Sequence, residues 1–169
     1  NAVSALLFIL KKQKPAVVAF IAAWVFDLLL FIVNWAILQK PPFANMYHVL
    51  AVLPLFLPPL WFYEKKTAPD VDWMSPVYPG LALIPLLGCV FMRNSASAWS
   101  SPVLNSPFFV PHVMSYSISY AMCGIAFILG IVYFIDKKRG DRYFKAAREM
   151  IRLSIPFMTL GLSLGAIWA

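Results

Sequence analysis

Residues 15–38 read PAVVAFIAAWVFDLLLFIVNWAIL and contain a single charged side chain, that of Asp27. A helix rises 1.5 Å per residue, so this stretch would extend about 36 Å and exceed the roughly 30 Å hydrocarbon core of a bilayer. An uninterrupted apolar run of this length is typical of a transmembrane helix. The stretch therefore predicts an integral membrane protein.

Further apolar runs surround this stretch. The later ones cover residues 46–63, 73–92, 107–135 and 153–169, and a shorter one at 2–10 resembles the end of a sixth span. The whole chain is 62% hydrophobic and 12% charged, whereas roughly a quarter of the residues in soluble domains are charged. We predict an all-α, polytopic membrane helix bundle with about five spans. Residues 1–169 are expected to form a single transmembrane domain, and we expect them to be a segment of a longer chain.

The basic residues are distributed unequally between the loops. If the five runs alternate in direction, twelve of the 14 Lys and Arg residues fall on one side and only Lys40 and Arg93 on the other. The positive-inside rule then places the basic loops in the cytoplasm and His112 and His48 on the opposite side of a multi-pass membrane protein. The net charge of +7 is explained by these loops, so no nucleic-acid partner is expected. The basic segment 136–152 is predicted to continue as one helix into the last span and to contact anionic lipid.

His112 is the strongest candidate for a ligand-binding residue. It begins the fourth span after Pro111, and Ser115, Tyr116, Ser119 and Tyr120 follow it at helical spacing. This polar stripe is expected to face protein or a cavity rather than lipid. An imidazole among aromatic side chains at a membrane interface suits an axial haem ligand. A histidine that only forms hydrogen bonds at the interface is the alternative.

Two further residues stand out because ionisable groups are rare in membrane spans. His48 begins the second span on the same, outer side as His112, so the two could be a pair of haem ligands or could simply pack. Asp27 lies near the middle of the first span, and its role is open. A transporter that uses Asp27 as its coupling residue is therefore an alternative function. A haem-b-binding or quinone-facing anchor subunit of a respiratory complex is another. No catalytic triad, phosphate loop or zinc signature is present, so no catalytic residue is predicted.

Three stretches resemble a known family. Pro42-Phe-Ala-Asn-Met-Tyr-His is similar to the Pro-x-x-Asn-Leu-Tyr-Glu entry to a span in cytochrome c assembly proteins of the CcsA/ResC type. Pro111-His-Val followed by Ser119-Tyr-Ala is similar to the run that carries the external haem-ligand histidine, and residues 159–169 resemble the span before the tryptophan-rich WWD loop. The second and third stretches also resemble CcmC, a related haem-handling protein. The chain departs from the family at His48, where glutamate is usual, and at residues 108–111, where Trp-Leu is usual.

The resemblance implies a haem-handling subunit of the System II cytochrome c synthase, a haem–protein thioether-forming lyase. It would hold haem b at the outer face and help attach it to the Cys-x-x-Cys-His cysteines of apocytochrome c. His112 would be one axial ligand of the haem iron, and Tyr116 and Trp168 would lie around the haem. The tryptophan-rich loop and a second external histidine would follow residue 169. The implied partners are apocytochrome c, a ResB/CcsB-like membrane subunit and the lipid bilayer.

Overall fold

The computed structural model describes residues 1–43, 45–95, 106–136, 138 and 140–168, and for residues 95 and 168 it describes the backbone alone. Within these residues the chain is helical throughout and forms no strand. The helices are α1 (Ala2–Ile9), α2 (Gln13–Leu38), α3 (Met46–Val52), α4 (Leu57–Thr67), α5 (Val77–Phe91), α6 (Phe109–Ile135) and α7 (Gly140–Trp168). The prediction of an all-α membrane helix bundle is confirmed.

Four helical stretches are long and apolar enough to cross a membrane: Gln13–Leu38, Met46–Thr67, Phe109–Ile135 and Gly140–Ile167. They match the first, second, fourth and fifth predicted runs. The second consists of α3 and α4 joined by a 3-10 segment, Leu53–Phe56, because Pro54 and Pro58 cannot donate backbone hydrogen bonds to a regular helix. The last extends far beyond the predicted 153–169, because the basic segment and the apolar segment form one helix, as expected.

The third apolar run differs from its prediction. Within residues 73–92 the α-helix is only α5, whose 15 residues extend about 22 Å. Trp73 and Met74 belong instead to a 3-10 segment, Pro69–Met74, since Pro76 stands at the N-cap and the helix begins after it. Helix α5 nevertheless returns along α3 and α4.

Contacts along this pair set the antiparallel register. Trp61 Nε1 donates to Ser75 Oγ at 3.0 Å near one end, and Cys89 Sγ donates to the Tyr47 carbonyl at 3.4 Å near the other. Between them, Leu50 packs against Gly88 so closely that a Cβ there would lie 2.8 Å from Leu50 Cδ1. Helix α5 and the 3-10 segment before it thus lead the chain back from one end of the bundle to the other.

The N-terminal run folds back on the first span. Lys11, with a φ of 59°, reverses the chain between α1 and α2. Ser4 Oγ donates to the Ala16 carbonyl at 2.8 Å, and Ser4 and Phe8 are buried between the two helices. Most other apolar side chains of α2 are exposed, with only Ala16 and Phe20 buried, as suits a helix surrounded by lipid.

The core lies toward the basic end of the bundle. Trp61 is its centre, with ring centroids 5.9 Å from Phe8 and 6.0 Å from Phe20. The cluster continues through Tyr78 and reaches Met150 on α7. At the opposite end the last two turns of α7 expose apolar side chains such as Leu162 and Ile167. The end that carries His112 is therefore the less tightly packed one.

Helices α6 and α7 form an antiparallel hairpin. Tyr143 Oη donates to Asp136 Oδ2 at 3.1 Å near the turn, and Cys123 Sγ lies 3.6 Å from Ser154 Oγ at mid-length. Ser154 is buried in this interface. The same register brings residues 112–116 of α6 against residues 161–165 of α7.

This register predicts a specific cross-link. The substitution S154C places a thiol opposite Cys123, at a separation from which small side-chain rotations form a disulfide. Mild oxidation should then leave one reactive thiol per denatured chain, that of Cys89, when thiols are counted by alkylation and mass. The matched control is S163C. Residue 163 lies on the exposed side of α7, so a cysteine at this position should stay reduced. Equal oxidation of both variants would contradict the register.

Candidate functional site

His112 lies in the first turn of α6. The helix begins at Phe109, and Pro111 fits this turn because its missing N–H would have no partner inside the helix. The backbone N–H of His112 donates to the Phe108 carbonyl at 3.0 Å, which holds the turn closed. The imidazole is half-buried and is directed toward α7.

Two glycines of α7 make room for the imidazole and its neighbour. A Cβ at Gly165 would lie 2.5 Å from His112 Cε1 and 2.7 Å from Nδ1, closer than real Cβ contacts permit. A Cβ at Gly161 would lie 3.3 Å from the ring of Tyr116. Glycines four residues apart let helices approach closely in membranes. Here the rings of His112 and Tyr116, rather than a helix backbone, pack against the two glycines.

A hydrogen bond orients the histidine. Nδ1 of His112 lies 2.7 Å from the Gly161 carbonyl oxygen. A carbonyl only accepts hydrogen bonds, so in neutral His112 the proton is on Nδ1 and the lone pair is on Nε2. Metal-binding histidines commonly donate their other N–H to a backbone carbonyl in this way, which sets the ring orientation and raises ligand basicity.

Aromatic rings continue from His112 along α6. Tyr116 meets the imidazole edge to face, with centroids 4.8 Å apart and planes at 87°, and Tyr120 stacks on Tyr116 at 5.5 Å. Ser115 and Ser119 of the predicted polar stripe are buried, as expected. Tyr120 departs from that expectation, since 57% of its surface is exposed. The stripe therefore divides into a packed serine face and an aromatic wall.

The other predicted haem neighbour cannot be placed. The side chain of Trp168 lies outside the described part of the chain. Its role stays a prediction from the family resemblance.

The structure brings His48 and Asp27 to a common cavity of about 280 Å³ between α2, α3 and α5. His48 is 1% exposed, and Asn45 caps its helix by accepting from the His48 N–H at 3.2 Å. Nδ1 of His48 is buried and has no hydrogen-bond partner among the described residues. Asp27 Oδ2 accepts from Asn1 Nδ2 at 3.4 Å. Cys89 of α5, whose thiol donates to the Tyr47 carbonyl, lines the same cavity.

His48 and His112 thus have different surroundings. The cavity that His48 lines is not lined by His112. Within the described residues there is also no group of three His, Cys, Asp or Glu side chains that could hold a metal ion.

Sequence analysis did not single out Glu64, which is buried with 3% of its surface exposed. A signal was present, because the residues that α4 buries recur at helical spacing: Leu57, Leu60, Trp61 and Glu64. A glutamate on the core face of a helix is costly unless it has a partner.

Comparison with known proteins gives one match. The family model described as Cytochrome C assembly protein matches residues 2–169. No curated protein and no solved structure matches the chain significantly.

Proposed function

The chain belongs to the cytochrome c assembly protein family, and from this premise we propose that it holds haem b beside His112 and helps attach it covalently to apocytochrome c. Membership of the family means that the protein takes part in cytochrome c biogenesis, and its long apolar helices make it a multi-pass membrane protein. The finer assignment, to the CcsA/ResC type within a holocytochrome c synthase, is part of the proposal. So is a ResB/CcsB-like partner subunit.

One observation carries the proposal: the Nδ1 of His112 lies 2.7 Å from the Gly161 carbonyl. This bond leaves the lone pair on Nε2, the atom through which an axial histidine binds iron. A single imidazole suits a metal whose other ligands come from a macrocycle, as in haem. Tyr116 and Tyr120 supply an aromatic wall beside it. These residues fit the group that the family handles.

The chain's own share of the chemistry is positioning. When bound, haem supplies the two vinyl groups to which the cysteine thiols of Cys-x-x-Cys-His add, forming two thioether bonds. His112 would bind the iron and hold the ring in one orientation, while the aromatic wall excludes water. Holding the haem in one orientation would remove part of the entropic barrier to the addition.

Sidedness follows from the charges. We place His112 at the outer face of a bacterial inner membrane, because Lys65, Lys66 and the cations of 137–152 lie toward the other end of the spans and favour the cytoplasm. Apocytochromes would then meet the His112 end of the bundle outside the cell membrane.

Covalent haem attachment in cells tests this function. The full chain, produced with its membrane partner in bacteria that lack a cytochrome c assembly system, should convert a co-expressed apocytochrome into a holocytochrome. Haem that stays on the cytochrome in denaturing gels, detected by peroxidase stain and by the pyridine haemochrome spectrum, is the measurement. A cytochrome with Ser-x-x-Ser-His should remain without haem. Absence of attachment, with both membrane proteins present and haem supplied, would refute the proposal.

A further inference from the structure

A second cavity lies at the basic end of the bundle. Its volume is about 230 Å³, roughly that of eight water molecules in the liquid. It is enclosed by the end of α4, the 3-10 segment Pro69–Met74 and the first turns of α7. Two spanning stretches have their ends here, at Thr67 and Gly140, so the cavity lies at the level expected for lipid head groups.

A buried carboxylate forms the inner wall of this cavity. Glu64 is 3% exposed, and its Oε1 has no hydrogen-bond partner among the described residues. The neighbouring Tyr78 is fully buried as well, and its hydroxyl interacts with the Glu64 carboxyl group without completing a well-formed hydrogen bond. A carboxylate removed from water is stable only with a compensating charge or hydrogen bonds. A cationic donor inside the cavity would therefore stabilise the charged form of Glu64.

Among the described residues, the other charges around the cavity leave one cation at its rim. Arg142 lies 3.8 Å from Asp70, and Glu149 pairs with Arg152 at 3.2 Å. Lys145 lines the cavity, is exposed, and forms no ion pair within the described part of the chain. Within the described part of the chain, the site thus combines a carboxyl group inside that no cation neutralises with an ammonium group outside that no anion pairs with.

We propose that this cavity binds the phosphoethanolamine head group of a membrane phospholipid. The ammonium group of the lipid donates to Glu64, and its phosphate faces Lys145 and Arg142. The two charges of this head group are joined by a short ethylene link, which suits a cavity with one charge at each end. Phosphatidylglycerol lacks the ammonium group, and phosphatidylcholine has no N–H to donate. The acyl chains remain in the bilayer beside α4 and α7.

Lipid retention tests the proposal directly. The full chain is purified from nanodiscs with equal amounts of phosphatidylethanolamine, phosphatidylglycerol and phosphatidylcholine, and bound lipids are identified by native mass spectrometry. The wild type should retain phosphatidylethanolamine about tenfold over the other two, the factor expected for one charge-assisted hydrogen bond. E64Q, which keeps the shape but not the charge, should retain the three lipids about equally.

Matched variants separate this result from a loss of fold. E149Q removes a carboxylate from the same rim, but one that already pairs with Arg152, and it should keep the wild-type preference. E64D keeps the charge and should keep most of the preference. A thermal melt of each variant shows that it is folded.

Three outcomes would overturn the proposal. One is an absence of phosphatidylethanolamine enrichment in the wild type. Another is an equal enrichment in a folded E64Q. The third is binding of free phosphoethanolamine by a wild type that retains no phospholipid, which would mean that the site takes a soluble zwitterion rather than a lipid. None of these outcomes depends on haem, so they are independent of the proposed function.

Discussion

Haem retention by His112→Ala should fall at least tenfold relative to the wild type, because the substitution removes the imidazole that we propose binds the iron. Tenfold corresponds to about 1.4 kcal/mol, which is modest for the loss of an axial ligand. The measurement is the absorbance ratio of the haem Soret band to the protein band, after purification of the full chain from cells supplied with haem.

His48→Ala is the matched control, since it removes the other histidine of the chain, which lines a cavity that His112 does not line. It should retain haem near the wild-type level. Exogenous imidazole should restore much of the spectrum of His112→Ala, because the vacated space and the Gly161 carbonyl remain to receive it. A purely structural role of His112 would give no such rescue. Equal haem loss in both variants would instead favour a bis-histidine cytochrome and contradict the proposed site.

Gly165→Leu should lower haem retention by as much as His112→Ala, although residue 165 carries no ligand. Even a Cβ at this position would lie 2.5 Å from Cε1 of His112, so the side chain must displace the ring or push α7 away from α6. Either movement breaks the bond from Nδ1 to the Gly161 carbonyl. Haem titration of the purified variant, followed in the Soret band, measures the effect.

Exogenous imidazole should distinguish this variant from His112→Ala. The leucine occupies the space that a free imidazole would need, so imidazole should not restore haem binding to Gly165→Leu. Gly130→Leu on α6 is the control, since a Cβ there meets no atom within 4 Å. Gly161→Ala should have an intermediate effect, because its Cβ would lie 3.3 Å from the Tyr116 ring, which can shift slightly. Normal haem binding by Gly165→Leu would show that the imidazole does not act from the position observed.

Much of the fold could be predicted from residue order alone. The run 15–38 and the basic segment continuous with the last span correspond to α2 and α7, because hydropathy over about twenty residues decides whether a helix suits a bilayer. The run 73–92 was predicted less well. Its prolines shorten the α-helix to Val77–Phe91. A hydropathy scale did not predict this, because it takes no account of the backbone hydrogen bonds that proline removes.

The candidate site was only partly predictable. His112 and Tyr116 were identified by their helical spacing and by the family resemblance, and the structure shows their rings in contact. Gly165 had no signal of its own, since a glycine in an apolar helix is common and its partner lies 53 positions away in the chain. Asp27 and His48 had been recognised separately, and their common cavity depends on how α2 and α3 pack.

The sequence by itself determined the class of protein, the approximate positions of the long helices, and ionisable candidate residues within the spans such as Asp27. These follow from local composition, because the apolar length of a segment decides whether it suits lipid and its backbone must form its own hydrogen bonds there. Only the tertiary structure decided which residues come together. Gly165 lies against His112, Asp27 and His48 line one cavity, and Glu64 and Lys145 line another. The physical reason is that lipid and helix surfaces are equally apolar. Hydrophobicity therefore does not select the partner faces, and close packing around small residues and a few hydrogen bonds does.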